Sequence, residues 1–150
     1  MIFPAGYIYE LTDTRIASHF PNLKRNNNFT FTSVSTEDYN CVAWINDILD
    51  EWVQFYDANG NYDFSLDRYI KYFESYGYLI NDNSDKQEGF TKIAISFDKD
   101  KNFKHVCKQL PNGEWSSKLG DWEDIKHNNP IDLLGRPYGV DVLFMMKKEN

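Results

Sequence analysis

The chain has 150 residues, enough for one folded domain whose core needs no disulfide or metal to hold it together. A hydrophobic content of 41%, with 17% aromatic side chains, excludes a disordered chain and predicts an aromatic-rich core with half-wet rims. The formal net charge of −7, from 23 acidic and 16 basic side chains, works against a nucleic-acid partner, because the basic clusters Lys24-Arg25 and Lys147-Lys148 are slight.

Residues 1–150 read as a single domain. Met1-Ile2-Phe3 runs straight into Pro4-Ala5-Gly6, without a basic segment followed by an apolar one. No apolar run approaches the roughly 18 residues of a membrane span. The expectation is a cytoplasmic protein that does not engage a membrane, with Cys41 and Cys107 as reduced thiols.

Along the chain, polar clusters at Asn26-Asn27-Asn28, at Asp57 to Asn61 and at Asn81 to Gly89 mark loops, the last long enough to form a flap. Between the first two, Asn40 to Tyr56 carries a helical period. Cys41, Ile45, Ile48, Leu49, Trp52, Val53 and Tyr56 share one stripe. The preceding Ser35 to Asn40 is rich in N-cap residue types, so Cys41 falls near the helix start, facing inward. A second helix is predicted over Ser65 to Tyr76, with Leu66, Tyr69, Ile70 and Phe73 inward and Gly77 as its stop.

The second half reads as strands. Thr91 to Phe97 precedes a turn at Asp98 to Asn102; His105 to Leu110 and Glu114 to Leu119 flank Pro111-Asn112-Gly113, a hairpin signal. Gly120 to His127 reads as a loop or short helix. Pro137-Tyr138-Gly139 then leads into a last strand, Val140 to Met146. Helices followed by an antiparallel meander predict an α+β fold, with two N-terminal helices on an antiparallel sheet of four to six strands.

A thiol at a helix N-terminus feels the positive end of the helix dipole, which favours the nucleophilic thiolate. Covalent catalysis also needs a group that takes and returns a proton near neutral pH, the role of imidazole. The histidines are His19, His105 and His127, and His105 opens a predicted strand just after a polar turn, where a side chain can face a groove. Cys41 with His105 is therefore the candidate pair.

A cysteine on a helix followed by a histidine on a strand resembles the papain-like superfamily, particularly its small bacterial amidases and peptidases. More narrowly, Tyr39-Asn40-Cys41-Val42-Ala43-Trp44, then Lys92-Ile93-Ala94-Ile95, then the run from His105 to Gly120 resemble a family of uncharacterised bacterial proteins. That similarity extends through Asp124-Ile125-Lys126-His127 and Tyr138-Gly139. It implies a papain-like arrangement with Cys41 as nucleophile and His105 as base. It also implies a third, orienting residue on the strand after the hairpin, where Ser117 lies 12 positions beyond His105. Gln109, at i+4 from His105 on the same strand face, is the competing candidate. The glutamine that serves the oxyanion in papain has no counterpart here, and Ser35 sits near its place; backbone N–H groups at the helix start are the alternative donors.

Other roles compete for the same residues. Cys41 on an inward stripe suits a core position, and His105 at a strand start suits a bond to backbone. Cys107 is core filler or a neighbour of the site. Cys41, His105, Cys107 and His127 are of zinc-ligand type, but only His105-x-Cys107 approaches the tight pairing of structural zinc sites. Asp57, Asn59, Asn61 and Asp63 alternate as calcium ligands do, yet Arg68 stands where an EF-hand places its glutamate. The tryptophans Trp44, Trp52, Trp115 and Trp122 suit core and rim packing. The expected function is a thiol-dependent amide hydrolase or acyl transferase, needing no metal or organic cofactor, with a peptide or amide substrate. The rival expectation is a catalytically inactive module, of immunity or adaptor type, that binds a protein partner.

Overall fold

The computed structural model describes residues 3–25, 27–135 and 138–149. The readings placed on Met1, Ile2, Asn26 and Pro137 lie outside the described residues.

Among the described residues three α-helices precede most of the sheet. The first, α1 (Asp13–His19), starts at Thr12, whose hydroxyl accepts from the Arg15 N–H at 3.3 Å. The second, α2 (Cys41–Ile45), starts at Asn40, whose side-chain oxygen accepts from the Ala43 N–H at 3.0 Å. The third, α3 (Leu66–Ser75), buries Leu66, Tyr69 and Phe73, and is followed by Gly77 at φ +98°.

The expected helix from Asn40 to Tyr56 is corrected by the structure: it ends at Ile45. Asp47 turns to φ +60°, the Ile48 N–H donates to Ala43 O and the Asp47 N–H donates to Trp44 O. This pair of bonds is the Schellman arrangement, with aspartate rather than glycine in the left-handed position. The chain then doubles back, so that Asn40 holds Val53 from both sides: its Nδ2 donates to Val53 O at 2.9 Å and its Oδ1 accepts from the Val53 N–H at 3.2 Å. One asparagine thus caps the helix and closes the returning loop. Leu49, Trp52 and Tyr56, placed on the inward stripe by their spacing, are exposed.

The strands are β1 (Phe29–Phe31), β2 (Leu79–Ile80), β3 (Phe90–Phe97), β4 (Phe103–Gln109), β5 (Trp115–Lys118), β6 (Asp124–His127) and β7 (Asp141–Lys148). Among the described residues they form one seven-stranded antiparallel sheet in the order β1-β6-β5-β4-β3-β7-β2, so the fold is α+β. The sheet is wider than the expected four to six strands. Part of the difference is β6, where a loop or short helix was expected. Its residues pair with both β5 and β1, with Ser117 opposite Ile125 and Phe31 also opposite Ile125. His105 is the third residue of β4 rather than its first.

Two clusters make up most of the core. In the larger, Val42, Tyr69 and Phe73 meet Ile95, Val106 and Met145. In the smaller, Leu11, Ile16 and Phe20 meet Leu119, Ile125 and Leu133. The β4–β5 ladder pairs only Lys108 with Ser116 and Gln109 with Trp115. Beyond those pairs the two strands separate, and the candidate site sits where they part.

Candidate active site

Cys41 is the first residue of α2, 9% exposed, and packs in the larger cluster with Val106. The Leu110 N–H points to the β5 side, donating to Glu114 O just before that strand, and strand alternation points the Val106 N–H the same way. With β5 withdrawn, that N–H meets the Cys41 sulfur, as do the N–H groups of Val42 and of Cys41 itself. These donors favour thiolate, but burial outweighs them and pushes the thiol up to about 11.

His105 leaves β4 on the other side from Val106. Its Nε2 lies 3.1 Å from Ser117 Oγ, and Ser117 Oγ lies 2.8 Å from His127 Nε2. His127 Nδ1 in turn lies 2.8 Å from the Asn129 carbonyl oxygen. All three side chains are buried. Among the described residues the buried His105 Nδ1 has no hydrogen-bond partner, and none joins it to Cys41. Burial first, and the neighbouring His127 second, push His105 down to about 3; burial likewise takes His127 down to about 4. The Tyr138 ring stacks on His105, 4.1 Å between centroids and 4° from parallel. The next residue, Gly139, at φ +93°, lies so close to β3 that a Cβ there would overlap the Phe97 carbonyl.

Cys41, His105 and Tyr138 line one pocket of about 380 Å³, walled further by Asn40 and Tyr69 and rimmed by Trp52. The Trp52 indole N–H donates to Glu37 O at 2.5 Å, which fixes this exposed aromatic at the mouth. Lys118, fully buried, donates to the carbonyls of Gly120 and, at 2.7 Å, Trp122, and so shapes the turn that closes the pocket wall.

The structure thus brings Cys41, His105 and Ser117 to one region. Gln109 points elsewhere, its amide donating to Ser84 O at 3.2 Å and Gly113 O at 3.4 Å. Ser35 is tied to the Tyr7 hydroxyl, outside the pocket wall. Cys107 is a buried core thiol 3.8 Å from Ala94 O. Among the described residues no three His, Cys, Asp or Glu side chains gather as metal ligands do. Asp57 and Asp63 instead accept from the N–H groups of Asn59, Asn61 and Ser65, holding their own loop. His127 is the site residue that sequence reasoning passed over; its signal was the run Asp124-Ile125-Lys126-His127, in which an apolar residue alternates with polar ones as in a strand.

The model of the family described as "Domain of unknown function (DUF7689)" matches residues 30–146, well over half of the chain. The chain belongs to this family. The match to DUF7689 takes in Cys41, His105, Ser117, His127 and Tyr138, so the whole pocket constellation lies inside it. Comparison with curated proteins and with solved structures finds no match. No helix among the described residues is long and apolar enough to cross a membrane.

Proposed function

We propose that the chain is a thiol-dependent hydrolase or acyl transferase acting on an amide bond, papain-like in arrangement. Cys41 is its nucleophile, His105 its base and Ser117 the group that orients the imidazole. The observation that carries this reading is the state of His105. Its Nε2 is held by Ser117, its buried Nδ1 has no partner among the described residues, and the residue lines the pocket that Cys41 also lines.

In this reaction the Cys41 proton passes to His105 Nδ1 as sulfur attacks the substrate carbonyl. The carbonyl electrons move onto oxygen, which the N–H groups at the start of α2 steady. Collapse of that intermediate breaks the C–N bond, and the imidazolium returns its proton to the leaving amine. Water, deprotonated by His105, or a second amine then takes the acyl group and restores the thiol. The resting pair is neutral thiol and neutral imidazole, so proton transfer belongs to the substrate-bound state. Two reduced thiols fit a reducing compartment such as the cytoplasm.

A second reading, a catalytically inactive protein-binding module of immunity or adaptor type, is favoured by one observation. Burial drives thiol and imidazole away from the charged pair, and no hydrogen bond joins them among the described residues. Turnover of an amide and ester panel by Cys41→Ser and His105→Ala separates the two. The hydrolase reading expects each variant to lose turnover. The melting temperature of Cys41→Ser should stay within a few degrees of the parent, because sulfur to oxygen hardly changes volume. His105→Ala removes a buried ring stacked on Tyr138 and is expected to be less stable. An inert parent with a markedly unstable Cys41→Ser would leave the binding module.

A further inference from the structure

We infer that His127, which is not among the residues lining the pocket, fixes the tautomer of His105 through Ser117 and is thereby a positioning residue. The inference rests on the proposed function for its consequence in catalysis, but its physical content stands on the hydrogen-bond chain alone.

The Asn129 carbonyl carries no proton, so the nitrogen 2.8 Å from it, His127 Nδ1, must be the one that donates. That carbonyl cannot swing away, because it also accepts from the Asp132 N–H at 3.1 Å, while the Asp132 carboxylate accepts from the Asn129 N–H at 3.0 Å. His127 has no solvent exposure, and burial keeps it uncharged, so a single ring proton is present and Nε2 is a bare lone pair. Ser117 Oγ, 2.8 Å away, has one proton, and of its two buried acceptors, this lone pair and the weaker Cys107 sulfur, the ring nitrogen takes it. The serine oxygen is then left only as an acceptor. His105 Nε2, 3.1 Å from the same oxygen, therefore carries the His105 proton.

A neutral imidazole has one ring proton, so His105 Nδ1 is bare, and this is the buried nitrogen that finds no partner among the described residues. The opposite tautomer would set two lone pairs against each other at Ser117. Alternatively, the hydroxyl would turn away and strand the buried Nε2 of His127 without a donor, a cost comparable to a lost buried hydrogen bond. A base must present a lone pair to the proton it takes, so the Asn129 carbonyl, three groups away, decides which His105 nitrogen carries that lone pair.

The test is the histidine ring pattern in long-range proton–nitrogen correlation spectra of the nitrogen-15-labelled protein at neutral pH. The expected result is His105 protonated at Nε2 and bare at Nδ1, with His127 protonated at Nδ1. In His127→Phe, Ser117 loses its acceptor, and the single-tautomer pattern of His105 is expected to give way to a mixture. In His127→Gln, whose side-chain carbonyl oxygen can take the Nε2 position and accept from Ser117, the parental pattern should return. If His127→Phe does not fold, Ser117→Ala removes the same link with little change in volume and should produce the same mixture. A parental spectrum with His105 protonated at Nδ1, or a His105 tautomer indifferent to both His127→Phe and Ser117→Ala, would overturn the inference. The expected tautomers together with a Cys41 that never turns over substrate would uphold the inference and end the hydrolase reading instead.

Discussion

At neutral pH the Cys41 proton sits on sulfur and His105 is uncharged, although three N–H groups converge on the thiol and α2 begins at that residue. Burial wins because α2 has only five residues and a short helix offers little dipole against the loss of water. The consequence is readable by alkylation with iodoacetamide. With the thiol near 11, the rate at Cys41 should climb about tenfold per pH unit from 7 to 10, without the low-pH plateau of a preformed thiolate–imidazolium pair. Cys107, whose thiol is pushed up further and which stands outside the pocket wall, should react more slowly throughout. A plateau beginning below pH 7 would mean that the charged pair exists at rest. At this scale Cys41 was legible, because its residue type, its cap Asn40 and the helix start coincide within three residues. His127 was not. Its importance comes from pairing across β5 and β6, and local pattern carries no information on which polar side chains a ladder will bring together.

Helix ends show where local sequence informs and where it misleads. Both α2 and α3 close with the same pair of backbone bonds, and both place the next residue in the left-handed region. At α3 that residue is Gly77 and the stop is plain from sequence. At α2 it is Asp47, and the apolar spacing of Leu49, Trp52 and Tyr56 continues past it as though the helix did. Those residues instead form an exposed stretch, with Trp52 at the pocket mouth. Asp47→Val should therefore cost about 1–2 kcal/mol in chemical denaturation, because a β-branched side chain resists positive φ, while Asp47→Gly should be tolerated. Were the helix to run on to Tyr56, Asp47→Ala would stabilise the protein, since alanine is the better helix former there. The antiparallel strands β3, β4, β5 and β7 were legible from apolar runs and the Pro111-Asn112-Gly113 turn. The edge strands β1 and β2 have three and two residues, too few to show a period.

Across the whole molecule, two buried histidines tie stability to pH. Their ordinary value is 6.5, and the fold lowers it to about 3 at His105 and about 4 at His127. The unfolded chain therefore takes up protons near pH 6.5 that the folded protein refuses. Stability is full above that pH and falls as pH drops toward 4, by up to about 1.4 kcal/mol per pH unit for each histidine. Denaturant midpoints measured from pH 7 to pH 4 should decline with this slope, and His127→Gln should flatten it. A midpoint that holds constant over that range would mean that the two rings are not held neutral by burial. The central claim, that Cys41 is a nucleophile served by His105, is tested most directly by acyl transfer onto the protein itself. Peptide mass mapping after brief exposure to p-nitrophenyl acetate should find the acetyl group on Cys41 in the parent and strongly reduced in His105→Ala. Acetylation that bypasses Cys41, or that proceeds equally without the His105 imidazole, would contradict it.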